Sequence, residues 1–182
     1  MAATTAVGAG DVRRRPPPGT APIVRCFVLG TVLLDLAILT YGAITSSDGF
    51  RDAGWGLAAW VVVVAAVGAA SLPFESGQAL GLDMPVLLSV GYLFGPVVAG
   101  ATAFVAYVDA RELRGEIPMV RALFNRAQTS LSVMAATAVF GVVVSGGDGW
   151  PIAAVAAFLA VGTDCLVNYG TVVAVLCLHE RI

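Results

Sequence analysis

The sequence predicts an all-α fold, a polytopic bundle of transmembrane helices, and two observations carry that prediction. The first is composition. Of 182 residues, 58% are hydrophobic and only 12% are charged, whereas a soluble domain carries roughly 25% charged residues. The second is patterning: long apolar stretches separated by short polar breaks, with a mean hydropathy of +0.89 over the chain. Too few charges remain to cover a water-facing surface, so the solvent that suits this chain is a lipid bilayer.

Residues 1–21 are dominated by Ala, Thr, Gly, Arg and Pro and include Arg13-Arg14-Arg15-Pro16-Pro17-Pro18. Such a segment has little apolar area to bury and is expected to be a disordered cytoplasmic tail. It is not read as a signal peptide, because the apolar run after it is long and further spans follow. The membrane domain is expected over 22–182.

The first span is Ile23–Thr45, about the 20 residues that a helix needs to cross the hydrocarbon core. A polar stretch, Ser46–Ala53, ends it, and Gly54–Leu72 is the second span. A polar break at Pro73–Asp83, with Glu75, Gln78 and Asp83, precedes the apolar stretch Pro85–Val108, which Gly95-Pro96 interrupts. The charged loop Asp109–Ile117 leads to Pro118–Val144. A Gly-rich loop, Ser145–Gly149, leads to the last span, Pro151–Leu178.

Pro85–Val108 can be one kinked helix or two short helices meeting at a corner. Proline inside a helix removes a hydrogen bond and clashes with the preceding turn, and Gly95 before it is conformationally free. The arginines favour the corner. All ten basic residues are arginine, and basic residues at membrane ends prefer the cytoplasm. Arg13, Arg14, Arg15 and Arg25 place the N-terminus inside. Only a short helix pair then brings the loop with Arg111, Arg114 and Arg121 to the same side, with Arg181 and the C-terminus. Only Arg51 stays outside. The expected architecture is six helical segments in the inner (plasma) membrane with both termini cytoplasmic. Tyr41, Trp55 and Trp150 fall near the predicted outer ends, where aromatic residues gather.

Polar residues inside spans are costly and mark functional or packing sites. Asp35 lies mid-way along the first helix. Asn125, Arg126 and Gln128 lie in the fifth, with Asn125 and Gln128 sharing a face. Asp164 and Asn168 are four apart in the sixth and also share a face. By sign, Asp164 is the expected partner of Arg126. Asp83 and Asp109 bracket the short pair. These groups can glue helices together or form a ligand site, and the sequence leaves both readings open. Gly91 and Gly95 form a small-xxx-small pair, and alanines recur over Val97–Ala106, so close helix approach is expected there.

Other chemistry is weakly supported. Cys26, Cys165 and Cys177 lack metal-ligand or CxxC spacing and are expected to be buried helix thiols. His179 stands alone and is expected to be solvated. No metal or cofactor is implied. There is no HExxH, GxSxG or phosphate loop, and no lysine at all. Glu112 and Glu116 are expected on a solvated face. No basic stripe with interleaved aromatics suggests nucleic acid.

The order Leu82-Asp83-Met84-Pro85, Leu93-Phe94-Gly95-Pro96, Arg111–Arg114 and Leu123-Phe124-Asn125-Arg126-Ala127-Gln128-Thr129-Ser130-Leu131-Ser132, with Val167-Asn168-Tyr169 later, resembles bacterial membrane sensor domains. Those domains precede HD-GYP or GGDEF output domains in cyclic di-GMP signalling proteins. The same middle section is similar to the substrate-binding S-component of energy-coupling-factor vitamin transporters. The first resemblance implies a non-catalytic sensor with a small-molecule ligand, feeding a cytoplasmic output domain or partner protein. The second implies an uptake subunit. A structural membrane protein with no ligand is the third expectation.

Overall fold

The computed structural model describes residues 20–69, 72–73, 79–80, 83–108, 112 and 114–180. Among the described residues it is an all-α bundle of six helices: α1 (Thr20–Thr45), α2 (Ser47–Ala69), α3 (Asp83–Phe94), α4 (Pro96–Ala106), α5 (Met119–Ser145) and α6 (Trp150–Glu180). Two-residue segments between α2 and α3 pair antiparallel, Leu72 opposite Leu80 and Pro73 opposite Ala79. The helix α1 starts at Thr20, slightly inside the tail expected from the sequence. The rest of that tail, with Arg13–Arg15, lies outside the described residues, as do Asp109, Arg111, Arg181 and Ile182.

Among the described residues four helices are long and apolar enough to cross a membrane: α1, α2, α5 and α6. At 12 and 11 residues, α3 and α4 rise only about 18 and 16 Å at 1.5 Å per residue. Neither reaches across a hydrocarbon core of about 30 Å. Each can line only part of the bundle.

The corner between them follows from Gly95-Pro96. Gly95 has φ 90° and ψ 167°, a region that essentially only glycine enters. Pro96 occupies the first turn of α4, where its missing N–H costs nothing. The Gly95 N–H still donates to the Gly91 carbonyl (2.9 Å), and its own carbonyl accepts from Ala99 N–H (3.2 Å). Both helices are therefore closed at the break.

A second break was not foreseen. Ser46–Ala53 reads as a polar stretch between spans, yet Ser47–Ala53 is helical and continues into α2 across a kink at Gly54 (φ 47°, ψ −138°). Phe50 and Ala53 explain it, since both contribute to the apolar core.

That core lies where α2, α3, α4 and α5 meet, around Val64, Leu87, Val90, Val98, Ala99, Ala103 and Val133. The glycine pair divides its work. A Cβ at Gly91 would lie 2.0 Å from Thr137 Cγ2 on α5, whereas one at Gly95 would meet nothing within 4 Å. Gly91 thus permits close packing and Gly95 permits the corner. On α4, Gly100 presses on Met134, whose Cγ would lie 2.5 Å from an added Cβ.

Contacts between the helices fix their relative directions. Phe27 of α1 packs on Phe124 of α5, ring centroids 6.4 Å apart. Further along both helices Asp35 approaches Ser130, so α1 and α5 run parallel. Gly68, near the end of α2, faces the backbone of Val108, just beyond α4. At the opposite end Gly49 abuts the Phe94 carbonyl. The α3–α4 pair therefore returns the chain to the side on which α1 begins, as the arginine pattern requires. Tyr41, Trp55 and Trp150 lie towards the other end and are 71%, 93% and 81% exposed.

Three expectations are corrected here. The cysteines are not buried: Cys26, Cys165 and Cys177 are free and exposed on the outer faces of their helices. A thiol is small and weakly polar enough to sit there without a partner. Glu112 is not on a solvated face, and Arg126 does not pair with Asp164; both follow from the contact described next.

Candidate functional site

The polar residues of the bundle fall into three places, all involving α5. At the end where α5 begins, the guanidinium of Arg126 binds Glu112 (Nη2 to Oε1, 2.6 Å). Its Nη1 points at the carbonyls of Phe104 and Val105, at 3.5 and 3.4 Å. Those carbonyls belong to the last turn of α4, where a helix presents unsatisfied acceptors and partial negative charge. Arg126 therefore ties the end of α4 to α5. The side chains of Arg126 and Glu112 are only 21% and 17% exposed, so the pair is largely withdrawn from solvent. Arg114 and Glu116, by contrast, form an ion pair that is open to solvent. Sequence sign-matching chose Asp164 for Arg126 because it weighed only residues inside spans. The loop carboxylate, 14 positions away in sequence, is the one that meets Arg126 in space.

The second place is the α5–α6 interface. Gln128 and Ser132 are one turn apart on α5, and Asp164 and Asn168 are one turn apart on α6, so each pair shares a face. Gln128 is buried. Its amide nitrogen donates to the Asn168 backbone carbonyl at 2.8 Å and to the Asn168 side-chain oxygen. Asp164 is 8% exposed and lies beside Ser132. It is close enough to Asp83, at the start of α3, and to Tyr92 for its charge to act on both. Tyr92 itself stacks on Phe140 of α5, centroids 4.0 Å apart. Asn125 is half-buried, less enclosed than the other members of the predicted cluster. The structure thus brings together Gln128, Asp164 and Asn168, adds Asp83, Ser132 and Tyr92, and separates Arg126.

The third place is the α1–α5 interface, where Asp35 (0% exposed) approaches Ser130 (0% exposed).

Most hydroxyls in this interior satisfy themselves within their own helix. Thr102 donates to Val98 O at 2.8 Å, Thr137 to Val133 O at 2.7 Å, Thr31 to Phe27 O at 3.0 Å and Ser132 to Thr129 O at 3.1 Å. Such back-bonding lets a polar residue pack without a partner. The carboxylates behave differently. Among the described residues, both oxygens of Asp35, one each of Asp83 and Asp164, and the Ser130 hydroxyl are buried without a hydrogen-bond partner. No three His, Cys, Asp or Glu among the described residues gather closely enough to hold a metal ion. Ser130, Ser132 and Tyr92 were missed as site residues because hydroxyls at helical spacing read as ordinary packing residues. Their role comes from facing an acidic residue on another helix.

No protein-family model, no curated protein and no solved structure matches the chain.

Proposed function

We propose that the chain is the non-catalytic sensing part of a membrane signalling system, binding a small molecule between α5, α6 and the start of α3. The observation that supports this reading is the pair of buried carboxylates there, Asp83 and Asp164, each with an oxygen left without a partner among the described residues. Interhelical adhesion is achieved by bonds such as Gln128–Asn168. Unpartnered buried carboxyl oxygens add nothing to adhesion and cost free energy, so they fit a site that recognises a ligand.

In this reading the bundle lies in the bacterial inner membrane with the arginine-bearing end cytoplasmic. The Asp109–Arg121 loop and the His179–Ile182 end face the output domain or partner that receives the signal. The sidedness is checked by cysteine accessibility in a background without native cysteines. Arg114→Cys should label only from the cytoplasmic face and Asp148→Cys only from outside. Labelling of position 114 from outside would reverse the orientation.

Binding is tested by native mass spectrometry of the detergent-purified chain. The expected result is a co-purifying small molecule that Asp164→Asn loses while unfolding at the same temperature as the wild type. Recovery of lipid alone from both proteins would sink the sensor reading and leave a structural membrane protein. Co-purification of a transporter ATPase pair in place of a signalling enzyme would assign the site to solute uptake, the other resemblance of the sequence.

A further inference from the structure

Asp35 stands apart from the site above. Residues 128 and 132 share one face of α5, and residue 130 lies roughly 180–200° around the helix from them at 100° per residue. Ser130 therefore points to α1 while Gln128 and Ser132 point to α6. At that α1 interface Asp35 is completely enclosed, and neither carboxylate oxygen nor the Ser130 hydroxyl has a hydrogen-bond partner among the described residues. An isolated carboxylate charge in an apolar interior is among the costliest features a protein can carry, and buried charges persist only when paired.

No side chain from the packed helices supplies that pairing among the described residues. On α1 itself Arg25 is exposed, and on α2 Asp48, Arg51 and Asp52 are exposed. The sequence of α4 has no ionisable residue. On α5 Arg121 is exposed and Arg126 is engaged with Glu112 and the end of α4. Asp164 of α6 lies beside Ser132, on the other face of α5, with Asp83 and Tyr92 near it. Tyr41, Tyr169 and the three cysteines are exposed. With no neutralising side chain for Asp35 among the described residues, we assign that charge to solution.

We propose that Asp35 and Ser130 form a binding site for one monovalent positive charge, a proton or a sodium ion, at the middle of the α1–α5 interface. One carboxylate and one hydroxyl suit a single charge; divalent ions require more oxygen ligands and usually more than one carboxylate. The charge on the carboxylate is cancelled where it is most costly, and Ser130 supplies a second oxygen to the same ion or a hydrogen bond to the protonated acid. Loading thereby tightens α1 on α5, the helix that also carries the ligand-facing residues. The site does not depend on the sensor reading.

The test is thermal unfolding of the detergent-purified chain, followed by Trp fluorescence, at pH 5.5–8.5 in sodium or choline chloride of equal ionic strength. A ligand bound only by the folded state multiplies the folded-to-unfolded ratio by about ten for each tenfold rise in its concentration above Kd. A sodium site raises the wild-type midpoint with sodium but not with choline. A proton site raises it as pH falls, with no preference for sodium. In either case Asp35→Asn, which keeps the shape without the charge, loses that response, and Ser130→Ala shifts the half-saturating concentration by roughly tenfold. Identical responses in wild type and Asp35→Asn would overturn the proposal. If Asp35→Asn does not fold, the wild type is treated with a hydrophobic carbodiimide that modifies protonated carboxyls. Labelling of Asp35 that sodium or rising pH suppresses supports the site, and labelling indifferent to both, or none, overturns it.

Discussion

Helices α5 and α6 are adjacent, similar in length and nearly equal in hydropathy, 1.7 against 1.8 over their most apolar windows, yet half of that window is buried in α5 and only 17% in α6. Hydropathy distinguishes a membrane span from a soluble helix but not an inward span from an outward one, because lipid is as apolar as leucine. What differs is the small and polar content. Ala127, Gln128, Thr129, Ser130, Ser132, Val133, Ala136 and Thr137 of α5 are all buried. The outward surface of α6 carries Phe158, Leu166 and Tyr169, at 79%, 75% and 69% exposure. The packed face of α5 is thus rich in small hydroxyl, amide and alanine side chains, whereas bulky apolar side chains stand on the exposed face of α6.

Substitutions at matched positions on and off the α5 surface would sharpen or break that contrast. The largest effect is expected at Gly91, where a side chain must displace Thr137. Gly91→Leu should cost about 3 kcal/mol or more by overpacking, whereas Gly162→Leu on α6, where an added Cβ meets nothing within 4 Å, should stay within about 0.5 kcal/mol. Thermal unfolding of both variants in one detergent checks this, and equal losses would mean that α5 is not the packing centre.

The corner comes next. Gly95→Val should cost about 1–3 kcal/mol because its backbone angles exclude a β-branched residue. Pro96→Ala should cost less than about 1 kcal/mol, since it mainly frees the unfolded chain. A larger loss from Pro96→Ala than from Gly95→Val would show that the proline, not the glycine, fixes the turn.

For the ion pair that closes α4, Arg126→Ala should cost about 1–3 kcal/mol, because it leaves Glu112 unpaired in a largely enclosed position. Arg114→Ala, at the exposed pair, should cost about 0–1 kcal/mol. A double-mutant cycle with Glu112→Ala should give a coupling energy for Arg126 and none for Arg114.

Among the buried positions the smallest effect is expected at Gln128. Gln128→Leu should lose only about 0.6–2 kcal/mol, the usual worth of one interhelical hydrogen bond in a membrane protein. A loss of ligand binding far exceeding that loss of stability would mark Gln128 as a binding residue.

Much of this was legible in the sequence. Composition and the apolar runs predicted six helical segments, and Gly95-Pro96 together with the arginine pattern favoured a short helix pair over 85–108, the arrangement the structure has. The i, i+4 spacing of Asp164 and Asn168 put them on one face of α6, and Gln128 of α5 meets Asn168 there, while Arg126, grouped with them in the sequence, lies elsewhere. The partner of Arg126 was not legible: in sequence Glu112 belongs to a charged loop, and only the end of α4 coming to rest beside α5 encloses it. The helical segment before Gly54 was missed for a similar reason. Its polar residues Ser47, Asp48, Arg51 and Asp52 outweigh Phe50 and Ala53 in any window, although those two alone reach the core.

By itself, then, the sequence determined the solvent, the number of helices, the Gly95-Pro96 corner and the residues too polar to face lipid. These are local matters: the free energy of moving a residue into hydrocarbon depends on its own chemistry, and backbone freedom on its own side chain. Tertiary structure decided which helix lies at the centre, which carboxylate answers Arg126, and that Ser130 and Ser132 face different acids on opposite sides of α5. Those are pairings between helices of similar hydropathy, which transfer free energy does not distinguish and only contact between helices selects.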